Sequence, residues 1–433
     1  MASHQEAILD MVREHHAEQE GGEFVPGSTP ILSSGAVLDA EDRAALVAAA
    51  LDLRIAAGPY AQQFERFFAR YLGVRRVLLT NSGSSANLLA LTALTARELG
   101  DRRLRPGDEV ITVAAGFPTT VNPIVQNQLV PVFVDIDPRT YNTTAAHVEA
   151  AIGPRTRAIM VAHAFGNPFE AAEIAALAQR HGLWLIEDNC DAVGSRYGGE
   201  LTGTFGHLST VSFYPAHHIT MGEGGCVATD DLALARLVES YRDWGRDCWC
   251  KPGEDNKCRK RFGYEVGTLP PGYDHKYIFS HLGYNLKTTD LQAALGLSQL
   301  AKIDDFGERR KRNWHRLRTG LDGLPGLRMP EATPGSDPSW FSFVLSVEPD
   351  APFGRSALRS YLEQRQIRTR ALFSGNLVRH PAYDSVEYRV AGELEHSDAA
   401  TEQTICLGVY PGINDRMIEY MVGELHAFVR ART

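Results

Sequence analysis

Three thiols fall close together in a hydrophilic stretch: Cys248, Cys250 and Cys258, spaced C-x-C-x7-C. A structural cysteine sits among apolar neighbours, as Cys226 and Cys406 do. These three lie instead among Gly, Pro, Lys, Asp and Glu, and they point to a metal site. Such a site needs a fourth ligand, and Cys190 is the strongest candidate. The resulting C-x57-C-x-C-x7-C pattern is neither the plant-ferredoxin spacing nor the usual zinc knuckle, so spacing leaves zinc and iron–sulfur both open. Cys190 follows Asp188 by two residues. Even a fully extended chain separates their Cα atoms by only about 7 Å, so a centre on Cys190 stands near Asp188.

Other side chains with chemical capacity are scattered. The strand-like VRRVLLT (74–80) runs into NSGSSAN and then a helix, so Gly83 and Ser84 mark a turn where backbone N–H groups can meet an anion. Asp188 ends the apolar run LWLIED, where a carboxylate can pair with a protonated ring nitrogen. Phe117, in AAGFPTTVNP, can stack on a flat ring. Ser212 opens SFYPAHHITMGEGG (212–225), whose glycine-rich turn carries His217 and His218. Taken singly, each has an ordinary explanation as a helix cap, a loop aspartate or a core aromatic.

The elements that must position them alternate. Strand candidates at 74–80, 108–114, 129–136, 157–165, 183–189 and 208–213 are separated by helical segments such as 86–99 and 171–182. Such βαβ units predict an α/β fold with a mainly parallel sheet, which binds ligands beyond its strands' carboxyl ends. We divide the chain into an N-terminal helix and arm (1–35), a large domain (36–310) with a polar excursion at 245–280, and a smaller C-terminal α/β domain (311–433). A long helical pattern at 288–317 links the last two.

Composition narrows the partners. Hydrophobic residues make up 44% and charged residues 22%, as in a globular protein. A formal net charge of −9 argues against nucleic acid or an anionic membrane as partner. No apolar run has membrane-spanning length and the N-terminus shows no signal pattern, so the expected location is the cytoplasm. Every lysine lies between Lys251 and Lys311. The first 250 residues therefore offer no lysine amine for covalent chemistry.

In order and spacing these pieces resemble the DegT/DnrJ/EryC1/StrS sugar aminotransferases, pyridoxal-phosphate enzymes of the aspartate-aminotransferase-like fold (fold type I). The likeness runs from GPYAQQFERFFARYLG (58–73) to YPGINDRMIEYMV near the C-terminus. It implies that Gly83, Ser84 and Ser212 hold the cofactor phosphate, that Phe117 covers the ring and that Asp188 pairs with its nitrogen. Asn285, in GYNLKTTDLQAALG, matches a residue that reaches the neighbouring subunit's phosphate, which implies a homodimer.

Two departures redirect the expected chemistry. His217 stands where the family carries its Schiff-base lysine, and Asp191 replaces the usual glutamine. That combination resembles the nucleotide-diphospho-4-keto-6-deoxyhexose 3-dehydrases, which use pyridoxamine phosphate and remove the sugar's 3-hydroxyl. The resemblance implies His217 as the base that takes the cofactor's methylene proton, with Tyr214 and Asp191 tuning the site. Arg370 and Asn376 are then the expected sugar-nucleotide contacts, with CDP or dTDP as the nucleotide. The cysteine spacing matches the iron–sulfur members, which implies a [2Fe–2S] cluster on Cys190, Cys248, Cys250 and Cys258. Its electrons would come from a flavin/iron–sulfur reductase or a ferredoxin system. The alternatives are a cluster-independent 3-dehydrase that recycles its cofactor with glutamate, and a catalytically dead relative acting as a scaffold.

Overall fold

A computed structural model describes residues 4–19, 22–53, 55–251 and 254–432. The strands at the front of the chain are β1 (Arg76–Thr80), β2 (Glu109–Val113), β3 (Val130–Val134), β4 (Thr156–Ala162) and β5 (Trp184–Asp188). They form one sheet with Leu208–Ser212, Gly225–Thr229 and the short Arg389–Val390. The spatial order is β1, Gly225–Thr229, Leu208–Ser212, β5, β4, β2, β3, Arg389–Val390. All neighbours are parallel except where Gly225–Thr229 inserts antiparallel beside β1 and Leu208–Ser212. Strands β2, β3 and β5 are buried along their whole length. Burial on both faces explains why they read as continuous apolar runs rather than alternating ones.

Helices pack on both faces. One face is filled by Gly83–Ala93, an Ala/Leu-rich helix with most of its residues buried, together with Leu232–Arg242. The other carries Ala171–His181 and an aromatic cluster in which Phe64 stacks on Phe68 and Phe213 meets both edge-on.

A three-stranded antiparallel sheet (Leu327–Arg328, Ser342–Val347, Thr404–Gly408) forms a second core with the helices Arg355–Gln364 and Asp415–Arg430. Two features blur the sequence-derived division. Phe24 and Ile31, from the N-terminal arm, sit in this second core, and Ile31 bridges to Ile367. The expected boundary at 310/311 falls inside a continuous helix, Ile303–Gly320. The helical pattern at 288–317 is two helices, Asp290–Leu300 and then Ile303–Gly320. Among its described residues the excursion holds one short 3₁₀ turn, His275–Tyr277, and it is tied at its base by Asp247 N–H donating to Ile278 O.

Candidate active site

A cavity of about 540 Å³ opens beyond the carboxyl ends of β2, β4, β5 and Leu208–Ser212. Gly83, Ser84, Phe117, Asp188, Cys190, Asp191, Ser212, Tyr214 and His217, read separately from the sequence, all line it. The sheet brings them together because strand ends converge on one edge, whatever their separation along the chain.

At one end, helix Gly83–Ala93 begins with Ser82 as its cap, whose hydroxyl accepts from Ser85 N–H at 3.0 Å. The first-turn N–H groups of Gly83 and Ser84 have no intrahelical acceptor by geometry. The turn lies so close to its neighbours that glycine is required. A Cβ on Gly83 would come within 2.5 Å of Ser212 Cβ, and one on Gly225 within 2.4 Å of Ser82 O. The result is a small cradle with the Ser84 and Ser212 hydroxyls alongside, suited to a phosphate.

At the other end stands Asp188, 5% exposed. Its Oδ2 accepts from Asn87 Nδ2 at 2.8 Å and Thr120 Oγ1 at 2.7 Å, and its Oδ1 from Cys190 N–H at 3.2 Å. Three donors hold a buried carboxylate in one orientation, where it can meet a protonated ring nitrogen. Between the ends, Val113, Ala115, Ala162 and Ala164 make an apolar bed and Phe117 stands over the opening, 53% exposed. Phosphate cradle, flat apolar slot and buried carboxylate fit a pyridoxal-type cofactor.

His217 sits on the wall with its Nδ1 3.3 Å from Asp191 Oδ1, an ion-pair separation at an angle that makes no hydrogen bond. Its ring lies 5.3 Å from that of Phe341. Its backbone is pinned by Arg310, which is fully buried and donates to His217 O at 2.8 Å, Ala216 O at 3.3 Å and Phe341 O at 3.2 Å. Burial pushes the Arg310 guanidinium down to about 10, with Asp191 opposing. His218 points elsewhere: it is buried and donates Nε2–H to Ser339 O, and burial holds its imidazole well below the ordinary range. Among the described residues, no lysine or arginine lines the cavity.

Three of the expected residues lie away from the cavity of their own chain. Asn376 does not face the cavity. It is 3% exposed and caps a short turn, accepting from Val378 N–H and donating to Asp398 Oδ1 at 2.9 Å. Arg370 is exposed, bridges to Cys406 and donates to Thr369 O. The same segment reaches the cavity through Phe373, which stacks on Phe165 at 4.1 Å. Asn285 also lies off the cavity and accepts from Lys287 Nζ at 2.7 Å.

The cysteines divide. Cys248, Cys250 and Cys258 surround one small pocket with His275 and Arg261, and Cys250 N–H approaches Cys248 Sγ at 3.5 Å. Cys190 is on the cavity wall instead, where burial and then the Asp188 charge push its thiol well above the ordinary value. Among the described residues, no three His, Cys, Asp or Glu groups are poised around a common point for an ion.

Missed by sequence reasoning were Asn87, Thr120, Phe341, Phe373 and Arg310. Thr120 had a signal, since it follows Phe117 in the same FPTT turn. Asn87 also had one, as the last residue of NSGSSAN a helical turn beyond Gly83, whereas Phe341, Phe373 and Arg310 reach the site through long-range packing.

Comparison with known proteins agrees with this geometry. Residues 37–426 match the model of the DegT/DnrJ/EryC1/StrS aminotransferase family. The chain belongs to that family. A dTDP-4-dehydro-2,6-dideoxy-D-glucose 3-dehydratase of Saccharopolyspora spinosa is 65% identical over 98% of this chain and 91% of its own. The lipopolysaccharide biosynthesis protein RfbH of Salmonella typhimurium is 52% identical over 94% and 93%. Among solved structures, an E. coli GDP-4-keto-6-deoxy-D-mannose-3-dehydratase with bound hydrated PLP superimposes with a TM-score of 0.83 at 26% identity. It covers 92% of this chain and all of that one. The architecture is thus pyridoxal-phosphate fold type I, and among the described residues no helix is long and apolar enough to cross a membrane.

Proposed function

We propose that this protein is a cytoplasmic 3-dehydrase that removes the C3 hydroxyl of a nucleotide-linked 4-keto-6-deoxyhexose, using pyridoxamine 5'-phosphate. The observation that carries the reading is His217 on the wall of a cofactor-shaped cavity that, among the described residues, no lysine lines. Pyridoxamine phosphate supplies a primary amine for the sugar ketone and an electron-withdrawing ring.

The chain's own residues do the rest. Gly83 and Ser84 N–H groups with the Ser212 hydroxyl bind the phosphate, Asp188 holds the ring nitrogen protonated, and Phe117 limits water above the ring. Asp191 faces Nδ1 of His217 and favours the tautomer protonated there, leaving Nε2 as the base for the methylene proton. Arg310 positions that imidazole through the His217 carbonyl. Tyr214, 51% exposed at the rim, stands where the sugar enters.

The 65% identity to a dehydratase named for a dTDP-linked 2,6-dideoxy sugar makes that sugar nucleotide the first substrate to test. Incubation with pyridoxamine phosphate and the keto sugar is expected to give a 3-deoxy keto sugar lighter by one oxygen atom in mass spectra, with the cofactor consumed as the two-electron donor and its amine released as ammonia. The His217→Asn protein should bind the cofactor and give none; retained dehydration by that variant would overturn the assignment.

The reading includes a [2Fe–2S] cluster on Cys248, Cys250, Cys258 and Cys190, fed by a flavin/iron–sulfur reductase or ferredoxin system. Its support is the cysteine spacing, and within a single chain the four thiols do not close around one point. That failure favours a second reading, a cluster-free enzyme recycled by glutamate. Iron and acid-labile sulfide on anaerobically purified protein decide between them. About two of each per chain supports the cluster.

A further inference from the structure

A second concavity, of about 790 Å³, lies at the other end of the sheet's strands. Residues 103–106 and 126–128, which lead into β2 and β3, form part of its wall. Thr92 and Thr95 at the end of helix Gly83–Ala93, Tyr241, and the loop from Phe279 to Tyr284 complete it. The cofactor cavity opens at the carboxyl end of β2, so roughly 13 Å of strand, from Glu109 to Val113, stands between the two. Their linings share no residue.

The charge of this second pocket is one-sided. Arg97, Arg103 and Arg105 line it, and among the described residues no Asp or Glu does. The half-buried Arg103 guanidinium has no hydrogen bond or ion pair among the described residues. Arg97 reaches Ser280 O at 3.5 Å, and Arg105 stands 3.7 Å from the fully exposed Asp101. Glu98, the other acid nearby, is engaged by His281 Nε2 at 3.1 Å. Guanidiniums gathered in a hollow that no carboxylate lines repel one another, and a bound anion relieves that repulsion.

Thr92 gives an independent sign of a ligand. It is 5% exposed, and its Oγ1 has no hydrogen-bond partner. A helical threonine can turn its hydroxyl back to the carbonyl four residues earlier, and this one does not. A buried hydroxyl left unpaired is unfavourable, so the wall calls for a polar partner. The carbonyls at this helix end are already engaged: Thr92 O accepts from Thr95 N–H and Oγ1, Ala93 O from Ala96 N–H, and Leu94 O from Leu104 N–H. The pocket also holds ring surface, since Phe279 is 52% exposed and Tyr284 lies in the same loop.

We infer that this pocket is a second binding site and that it takes a nucleoside diphosphate, with Arg97, Arg103 and Arg105 on the phosphates and Phe279 against the base. Guanidinium forks match paired phosphate oxygens, and an aromatic face stacks on a flat base. The Thr92 hydroxyl gains its missing partner from the same ligand, and the volume is that of a small-molecule site. The inference stands whatever reaction the cofactor cavity performs.

Calorimetry on the full-length, cofactor-loaded protein tests it, with dTDP and inorganic pyrophosphate as probes. Both should bind the wild type, dTDP about tenfold more tightly through stacking. Arg103→Ala should weaken both by about tenfold or more, and Arg97→Ala is a second variant with the same expectation. Phe279→Ala should bring dTDP down to the level of pyrophosphate and leave pyrophosphate unchanged. Phe117→Ala, altered in the cofactor cavity, should bind both probes as the wild type does. Thermal transitions report the folding of each variant. A wild type that binds neither probe at millimolar concentration would overturn the site. Binding unchanged by both arginine variants, or lost in Phe117→Ala, would overturn it too and return the probes to the cavity. Equal affinities for the two probes, with Phe279→Ala without effect, would overturn the nucleoside assignment in favour of a bare phosphate.

Discussion

The cofactor cavity and the cysteine excursion are built on opposite principles. The cavity sits on the ends of fully buried strands, and its key side chains are held by others at 2.7–3.3 Å: Asp188 by Asn87, Thr120 and Cys190 N–H, and the His217 loop by Arg310. Its geometry is set before any ligand arrives, which is what positional chemistry demands. The excursion has almost no regular structure. It is laced by surface ion pairs such as Arg261–Asp274 and Lys276–Asp255. Such pairs are worth little individually and leave a loop adaptable. A rigid frame presets the positions of the groups that line the cavity, whereas the loop is held by pairs that can exchange.

That contrast can be broken most directly at His217. His217→Asn removes the proposed base, and sugar dehydration should fall by about 10²–10⁴-fold while pyridoxamine phosphate affinity stays near wild type. Comparable losses of both would mean that His217 only shapes the cavity. Asp188→Asn probes the frame instead. Losing a charge-assisted partner to the ring nitrogen should weaken cofactor binding by about 10–100-fold in an absorbance titration, with the thermal transition little moved.

Gly83→Ala places a methyl against Ser212. It should cost about 1–3 kcal/mol by overpacking and weaken pyridoxamine phosphate more than unphosphorylated pyridoxamine, which calorimetry with both ligands would show. An equal loss for the two would remove the phosphate from that cradle. The smallest effect belongs to Asn376→Ala. As a cap it should cost about 1 kcal/mol in denaturant melts and leave the KM for the sugar nucleotide unchanged. A large rise in KM would restore it as a substrate contact.

Local signals carried much of this site. Ser82–Gly83–Ser84 announces a helix start, Asp188 ends an apolar run, and His217 occupies a glycine-rich turn. Each role follows from neighbours close in sequence, and all three places stand in the cavity. Strands whose apolar runs were continuous were legible too. Gly225–Thr229 was not, because its run, GCVAT, is short and carries glycine and threonine rather than a bulky apolar pattern. Asn376 was less legible for a related reason. A polar residue in a loop reads the same from sequence whether it faces a ligand or caps its own turn. Only the position of Asp398 and of the Val378 amide shows which.

By itself, the sequence determined the alternation of strands and helices, the strand-end places of the cofactor-binding side chains and the absence of lysine before residue 251. These depend on period, composition and neighbours within a few positions, which the linear order preserves. Tertiary structure alone decided which distant groups meet. It set the buried Arg310 against the His217 loop, gave Asp188 its donors from two other segments, and stood Cys190 apart from the other three thiols. Strand order governs those meetings, and it is fixed by long-range packing that no local pattern encodes.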